Sequence, residues 1–396
     1  MSTKNRLVVF LTGYDPAGPD RYYIMLRQQA RYYQRRFSVP LKIGKYEKSK
    51  DNGTHFSHVS ITSDWDGEHC QVDYRISDWQ ERVLNDAARP YWHRTLVYLF
   101  WYFNGWFNGV FLAILKWQKK FIIVFSVPLI LLVLRLLTLL IFAGVGYGVS
   151  VVFGLPVLAC LAPGLAAGAA VVFYQNRIFS NLYEAHLGDS LTFQCILTIK
   201  GDDAFYSEIK DFSSEITKII EENKPDEVFL IGHSCGCFHS IGVFENIQKY
   251  LEGVSDKPQL VHLTCGSLLP FTGVYSEGFF KPIVKRLLEN PNTRWVDFFA
   301  PQDPFTVPYI SAADDFGLDI KKPLVSNYSV RSAVFGEIFD QKKLTKFRYN
   351  PLRMHFQYLT ANDFPGAYDF FNLISDPKSM ERDFKPRYPQ EDTKAS

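Results

Sequence analysis

Gly232-His233-Ser234-Cys235-Gly236 sets a serine between two glycines, directly after the apolar run Glu227-Val228-Phe229-Leu230-Ile231 and before Phe238 to Phe244. The run before it predicts a buried strand and the segment after it an amphipathic helix. A serine hydroxyl is a weak nucleophile. Held on a tight strand-to-helix turn, with glycines where side chains would collide, it becomes exposed and addressable by a base. The chemistry this implies is acyl transfer through Ser234.

Such a serine needs a base, and the base needs a carboxylate to hold its tautomer. Asp303 follows the strand-like stretch Trp295 to Phe299, and His355 lies in Arg353-Met354-His355-Phe356-Gln357-Tyr358. Serine, acid and histidine then come in one of the chain orders in which this triad recurs. Among rival acids, Asp297 sits inside the strand and Asp314-Asp315 lie further on. Of nine histidines, His233 and His239 flank the serine too closely and His262 falls within a strand. The oxyanion hole is expected from the backbone N–H of Cys235 and another in the turn Thr12-Gly13-Tyr14, so Gly13 and Tyr14 join the candidate site. Cys235, Cys237 and His239 could be read as metal ligands, but two cysteines one residue apart on a turn converge poorly with that histidine. No metal or organic cofactor is expected, nor a cysteine nucleophile at Cys237.

The elements around these residues alternate. Arg6 to Leu11 predicts a strand, followed by the Gly- and Pro-marked turn Thr12 to Pro16. Tyr22 to Arg36 predicts a helix with Arg27, Arg31 and Arg35 along one face, solvated or facing anionic headgroups. His58 to Thr62 and Cys70 to Tyr74 alternate as strands pairing across Asp64-Trp65-Asp66-Gly67. Ser190 to Ile199 reads as a strand, Tyr206 to Asn223 as a helix, Leu260 to Thr264 as a strand, Phe279 to Leu288 as a helix and Trp295 to Phe299 as a strand. Strands alternating with helices predict a mostly parallel sheet covered on both faces.

Composition sets the outer bounds. The 396 residues are 47% hydrophobic and 16% aromatic, enough for a large core, and the net charge of +2 gives no sign of a nucleic-acid partner. Six cysteines without a disulfide-framework spacing suit a reducing compartment. Lys4 and Arg6 precede only five apolar residues, Leu7 to Leu11, too few for the core of a cleaved export signal.

The apolar residues are unevenly spread. Phe121 to Phe142 carries a single charge, Arg135, and Gly144 to Tyr174 carries none. Each stretch can cross a hydrocarbon core of about 30 Å, which takes about 20 helical residues. Two transmembrane helices in a tight hairpin are expected, kinked or broken at Pro128, Pro156 and Pro163, with Gly144, Gly146 and Gly148 supplying a turn or close helix contact. Leu96 to Trp117, rich in Trp, Tyr and Phe, is expected to lie at the membrane interface, the alternative being a third span from Thr95 to Leu115. Lys116, Lys119 and Lys120 before the hairpin and Arg177 after it lead to the expectation that both soluble parts are cytoplasmic, and the compact chain without a visible targeting signal to that of a bacterial inner membrane. No carboxylate lies within either span, so Arg135 is expected against backbone carbonyls or a lipid headgroup, or in substrate handling.

Phe229 to Tyr358 resembles the α/β-hydrolase fold, and more narrowly the fungal-type lipases called class three. The likeness rests on the G-H-S-x-G elbow, on Thr264-Cys265-Gly266-Ser267 at a strand end, and on Asp303-Pro304-Phe305-Thr306-Val307-Pro308. It covers about a third of the chain and departs from the pattern at Cys235, Cys237 and the membrane insertion. The resemblance implies Asp303 as triad acid, and His355, with Tyr358 three residues later, as base. The expected organisation is an N-terminal part of the hydrolase domain (1–93), a membrane segment (94–177), a catalytic part (178–375) and a mobile charged tail (376–396). The expected activity is cleavage of carboxylic esters, with membrane lipids as substrate and surroundings. An acyltransferase using the same serine, or a noncatalytic scaffold, are the alternatives.

Overall fold

Leu7-Val8-Val9-Phe10-Leu11 is apolar at every position because both of its faces are covered: Leu7, Val9 and Leu11 enter one core and Val8 and Phe10 the other. These residues end β1 (Lys4–Leu11), the fourth strand in the spatial order of a mixed sheet. The computed structural model describes residues 3–179, 183–273, 279–306, 318, 328–348 and 350–388. Within them eight strands run in the order β2-β3-β4-β1-β5-β6-β7-β8. The others are β2 (Leu41–Glu47), β3 (Phe56–Trp65), β4 (Glu68–Ser77), β5 (Glu227–His233), β6 (Gln259–Cys265), β7 (Trp295–Phe299) and β8 (Tyr328–Ser332). Only β3 runs against its neighbours, so the fold is α/β with a mostly parallel sheet.

One face is covered by α1 (Gly18–Phe37), which buries Tyr22, Leu26, Ala30, Tyr33 and Phe37 at helical spacing. The insertion leaves the sheet after β4, at the edge where the parallel strands end. It comprises α2 (Gln80–Ala87), α3 (Tyr91–Phe107), α4 (Val110–Trp117), α5 (Lys119–Phe125), α6 (Val127–Phe153), α7 (Val157–Ile178) and α8 (Glu184–Cys195). The chain then enters α9 (Asp203–Asn223), and α10 (Gly236–Glu252) follows β5; both bury apolar faces in the second core.

Helices α6 and α7 are long and apolar enough to cross a membrane, with mean hydropathies of 2.6 and 2.0, and only 17% and 6% of their most apolar windows is buried in protein. They pack on each other through small residues. A Cβ on Gly146 would lie 2.6 Å from the Cys160 carbonyl oxygen, and one on Gly164 2.6 Å from that of Phe142. Gly146 thus serves close helix contact, Gly144 and Gly148 face open space, and the chain turns at Gly154-Leu155-Pro156.

The boundaries and one element differ from expectation. Phe121 to Phe125, read as the start of a span, folds as α5 into the protein core, with Phe121 and Phe125 buried. Ser190 to Ile199, read as a strand, lies in α8 and a following π-helical turn, Ile196–Lys200. Ser190, Thr192 and Gln194 alternate with Leu191, Phe193 and Cys195 as in a strand, but the tertiary surroundings bury both sets in a helix, so the local pattern is overridden. Leu96 to Trp117 is split at Gly109, whose φ is +75°. Tyr98, Tyr102, Phe111 and Ile114 enter the core, while Trp92, Leu96, Phe100, Phe103 and Phe107 line the outer face of α3. Arg135 has a carboxylate partner after all: Glu184, at the start of α8, accepts at 2.7 and 2.5 Å, and the Tyr91 hydroxyl lies 2.8 Å away. Residues 376–388 pack against the sheet, burying Asp376, Met380 and Phe384, with Arg387 donating to Glu68 at 3.0 Å; 389–396 lie outside the described residues.

Candidate active site

The carboxyl ends of β1, β5, β6 and β7 meet at one edge, and each delivers one part of the site. After β5 the chain turns at Ser234, whose φ is +57°. A non-glycine residue in that region is strained, and here the surroundings fix it. Its N–H donates to the Cys265 carbonyl at 3.1 Å, and its own carbonyl accepts from the Cys237 N–H at 3.1 Å. The glycines on either side are sterically required. A Cβ on Gly232 would strike the Ser240 hydroxyl, and one on Gly236 the carbonyls of Leu11 and Thr12. Gly236 therefore lets the loop after β1 close against the start of α10.

Beyond β7, Asp303 is fully buried and its carboxylate is saturated with donors. Oδ2 lies 2.7 Å from His355 Nδ1 and also accepts the Thr306 hydroxyl, while Oδ1 accepts the Phe305 N–H at 3.0 Å. The Tyr358 hydroxyl accepts the Ala300 N–H at 2.7 Å and can donate to Thr306 Oγ1 at 3.0 Å. Tyr358, Thr306 and Asp303 thus form a chain of hydrogen bonds ending on the imidazole. His355 comes from a short helix, α11 (Pro351–His355), and its Nε2 is buried without a hydrogen-bond partner. Gly266, at φ +62°, lies where a Cβ would come within 2.9 Å of the His355 ring. On the other side of that ring stands His233, 4.8 Å between centroids. Burial, and after it the nearness of the His355 ring, pushes the His233 imidazole well below its usual range and keeps it neutral.

Ser234 and His355 line one cavity of about 30 Å³ together with Gly13, Tyr14, Ser190, Phe125, Leu187, Leu268 and Phe305. It has room for roughly two waters at 10–15 Å³ each. A longer group must displace one of the apolar walls. Two of those walls are roots of the apolar hairpin: Phe125 just precedes α6, and Leu187 lies at the start of α8. Helix α5 and the residue before it also hold the acid loop, through Gln118 to the Thr306 carbonyl and Lys120 to the Pro301 carbonyl, both at 3.1 Å.

The expected oxyanion donors are distributed unequally. The Gly13 N–H is engaged by the Tyr22 hydroxyl at 3.0 Å, and Gly13 contributes space, since a Cβ there would meet the Ser234 Cβ at 3.0 Å. Tyr14 lines the cavity beside Ser234, and the sulfur of Cys235, directly after the nucleophile, lies 3.9 Å from the Ser190 hydroxyl. At the cavity mouth Asp15 pairs with Arg21 at 3.0 Å, and burial raises the Asp15 carboxyl above its usual range. Burial also lowers His186, on α8, to about 4.

Rival residues go elsewhere. Asp297 takes the Thr264 hydroxyl, His262 lies 2.8 Å from Ser240 Oγ, and His239 lies 2.9 Å from Glu208. Asp314 and Asp315 lie outside the described residues. Burial raises the Cys237 thiol well above its usual range and Cys235 to about 12, which disfavours a thiolate at either. Among the described residues no group of three or more His, Cys, Asp or Glu could hold a metal ion. Sequence reasoning overlooked Thr306 and Ser190; a hydroxyl three residues after the acid was the available signal for Thr306. No protein-family model matches the chain, and neither a curated protein nor a solved structure is similar to it.

Proposed function

We propose that this chain is a membrane-anchored serine hydrolase cleaving carboxylic esters, with membrane lipid esters as substrates. The observation that carries the reading is the Asp303–His355 pair, at 2.7 Å, with His355 Nε2 unpartnered in the cavity that also contains the strained Ser234. Neutral His355 takes the Ser234 proton as the oxygen attacks the ester carbonyl, and Asp303 stabilises the imidazolium. The carbonyl oxygen becomes an oxyanion beside the Cys235 and Tyr14 N–H groups. His355 then returns the proton to the leaving alcohol, and a water activated by the same imidazole releases the acyl group.

The topology supports an α/β-hydrolase-like reading. The second strand in space is the antiparallel one, and serine, acid and histidine follow β5, β7 and β8 in that chain order. The lipid assignment rests on where the apolar surface lies. The hairpin emerges from the sheet edge that bears the reacting groups, and the outer stripe of α3 adds exposed aromatic and aliphatic area beside it. Lys116, Lys119, Lys120 and Arg177 at the hairpin's base favour the cytoplasmic side for both soluble parts.

The test is labelling of the detergent-purified chain with a fluorophosphonate, against Ser234→Ala and His355→Ala. Labelling of the wild type, lost in both variants, followed by release of fatty acid from lipid esters in nanodiscs, is the expected result. A folded wild-type protein that stays unlabelled sinks the reading, and product that appears only with an added alcohol acceptor turns it into an acyltransferase.

A further inference from the structure

Hydroxyls in helices usually settle on the carbonyl four residues back, and in this molecule Ser126, Thr138, Thr198 and Ser213 all do so, at 2.7–2.8 Å. Ser190, in the middle of α8, does not bond that way. Its oxygen accepts the Gln194 Nε2–H at 3.2 Å, and the partner left for its own hydrogen is the Cys235 sulfur at 3.9 Å, a weak acceptor. Ser190 is almost fully buried, yet it lines the cavity shared by Ser234 and His355. An O–H group with so poor a partner, inside a reaction cavity, is poised for a better acceptor that arrives later.

The neighbours of that sulfur show where the acceptor would form. Tyr14, Ser234 and Ser190 line the same cavity, and the sulfur that the Ser190 hydroxyl meets belongs to Cys235, the residue directly after the nucleophile. Backbone donors that meet beside a nucleophile mark the place where a carbonyl oxygen gains charge on attack. Of the two backbone donors expected there from sequence, Cys235 and one in the turn Thr12-Gly13-Tyr14, the second cannot be Gly13, because its N–H is bonded to Tyr22. The backbone therefore offers at most two donors, the Cys235 and Tyr14 N–H groups, and a third has to come from a side chain.

We propose that the Ser190 hydroxyl is a third oxyanion donor, a catalytic residue that reaches the site from the helix following the membrane hairpin. The inference rests on the serine-hydrolase reading above. In the resting site the Ser190 hydrogen faces sulfur; on attack it turns to the oxyanion, and no proton leaves Ser190 at any step. Gln194 holds the oxygen so that only this rotation is open. A role confined to the transition state lowers kcat and leaves substrate binding alone.

The experiment uses the full chain in nanodiscs, with a soluble short-chain ester as substrate and a trifluoromethyl ketone as a tetrahedral-adduct inhibitor. For Ser190→Ala and the near-isosteric Ser190→Cys, kcat is expected to fall by about 10²-fold with KM within about twofold, the size of effect seen when one oxyanion donor is removed. Inhibitor affinity should fall by the same factor as kcat/KM, and Ser190→Thr, which keeps the hydroxyl, should retain most of the turnover. Thermal unfolding reports whether each variant is folded, and Ser190→Cys carries the test if Ser190→Ala is not. Wild-type kcat in a folded Ser190→Ala or Ser190→Cys overturns the proposal, as does a rise in KM without a change in inhibitor affinity. Absence of wild-type turnover and of fluorophosphonate labelling overturns instead the hydrolase reading on which it stands.

Discussion

The reaction edge of the sheet and the apolar hairpin are held together by opposite means. At the edge, position is set by directed bonds and one strained residue: the Asp303 carboxylate meets three donors, Ser234 sits at positive φ, and a Cβ on Gly266 would strike the His355 ring. In the hairpin, position is set by the absence of side chains. Gly146 and Gly164 let two helices touch backbone to backbone, and the directed contacts cluster near the base, at Arg135–Glu184 and Gln175–Thr138. The edge therefore loses function when a bond is removed, whereas the hairpin loses structure when an atom is added.

The largest effect expected from this contrast is at the edge. Asp303→Asn preserves the shape of the carboxylate but favours the wrong imidazole tautomer, and ester turnover should fall by about 10³–10⁴-fold. Thermal unfolding should move little, and near wild-type turnover in the Asp303→Asn variant would break the comparison on that side. Next comes Gly146→Leu. The added side chain meets the Cys160 backbone and should cost about 1–3 kcal/mol of stability in detergent, as overpacking does. Gly144→Leu, which points into open space, is the control and should cost much less. Equal losses at the two positions would show that the helices do not touch as described.

The third effect, the most gradual, concerns pH. Buried histidines belong to the sheet region, and burial lowers His262 to about 3. Unfolded, the same imidazole titrates near 6.5, so the unfolded chain binds more protons between these values. Stability present above pH 6.5 is lost as pH falls toward 3, by up to about 1.4 kcal/mol per pH unit for this one group. His262→Gln, which can still bond Ser240, should flatten the fall of the unfolding midpoint between pH 6.5 and 4.5 by that slope. An unchanged slope would mean that His262 is charged in the native state.

What was legible in sequence follows the same division. The elbow, its strand and helix, Asp303 and His355 were readable because local pattern and chain order carry them. The hairpin was readable from apolar runs; of the turn or close helix contact expected at Gly144, Gly146 and Gly148, Gly146 makes the contact, and the turn comes at Gly154-Leu155-Pro156. The middle position of β1 in the sheet was not legible, since nothing in Leu7 to Leu11 names a neighbour. Nor were the long-range partners, Glu184 for Arg135 and Tyr22 for Gly13, because burial and proximity decide them. Ser190 to Ile199 failed for a different reason: Ser190, Thr192 and Gln194 alternate with apolar residues as in a strand, and burial on nearly all sides left no polar face to show the helical period.

The strand order also fixes a sequence of events during synthesis. β1 pairs with β4 on one side and with β5 on the other, and the whole insertion lies between those two partners in the chain. A growing chain can assemble β2, β3, β4 and β1 early, but the far edge of β1 stays open until residue 227 emerges. At about 5–20 residues per second that wait is on the order of 10 s, with an apolar strand edge exposed to other chains. The two apolar helices are made within that interval, so α6 and α7 are complete before β1 gains its second partner and the sheet edge that carries Ser234 is closed.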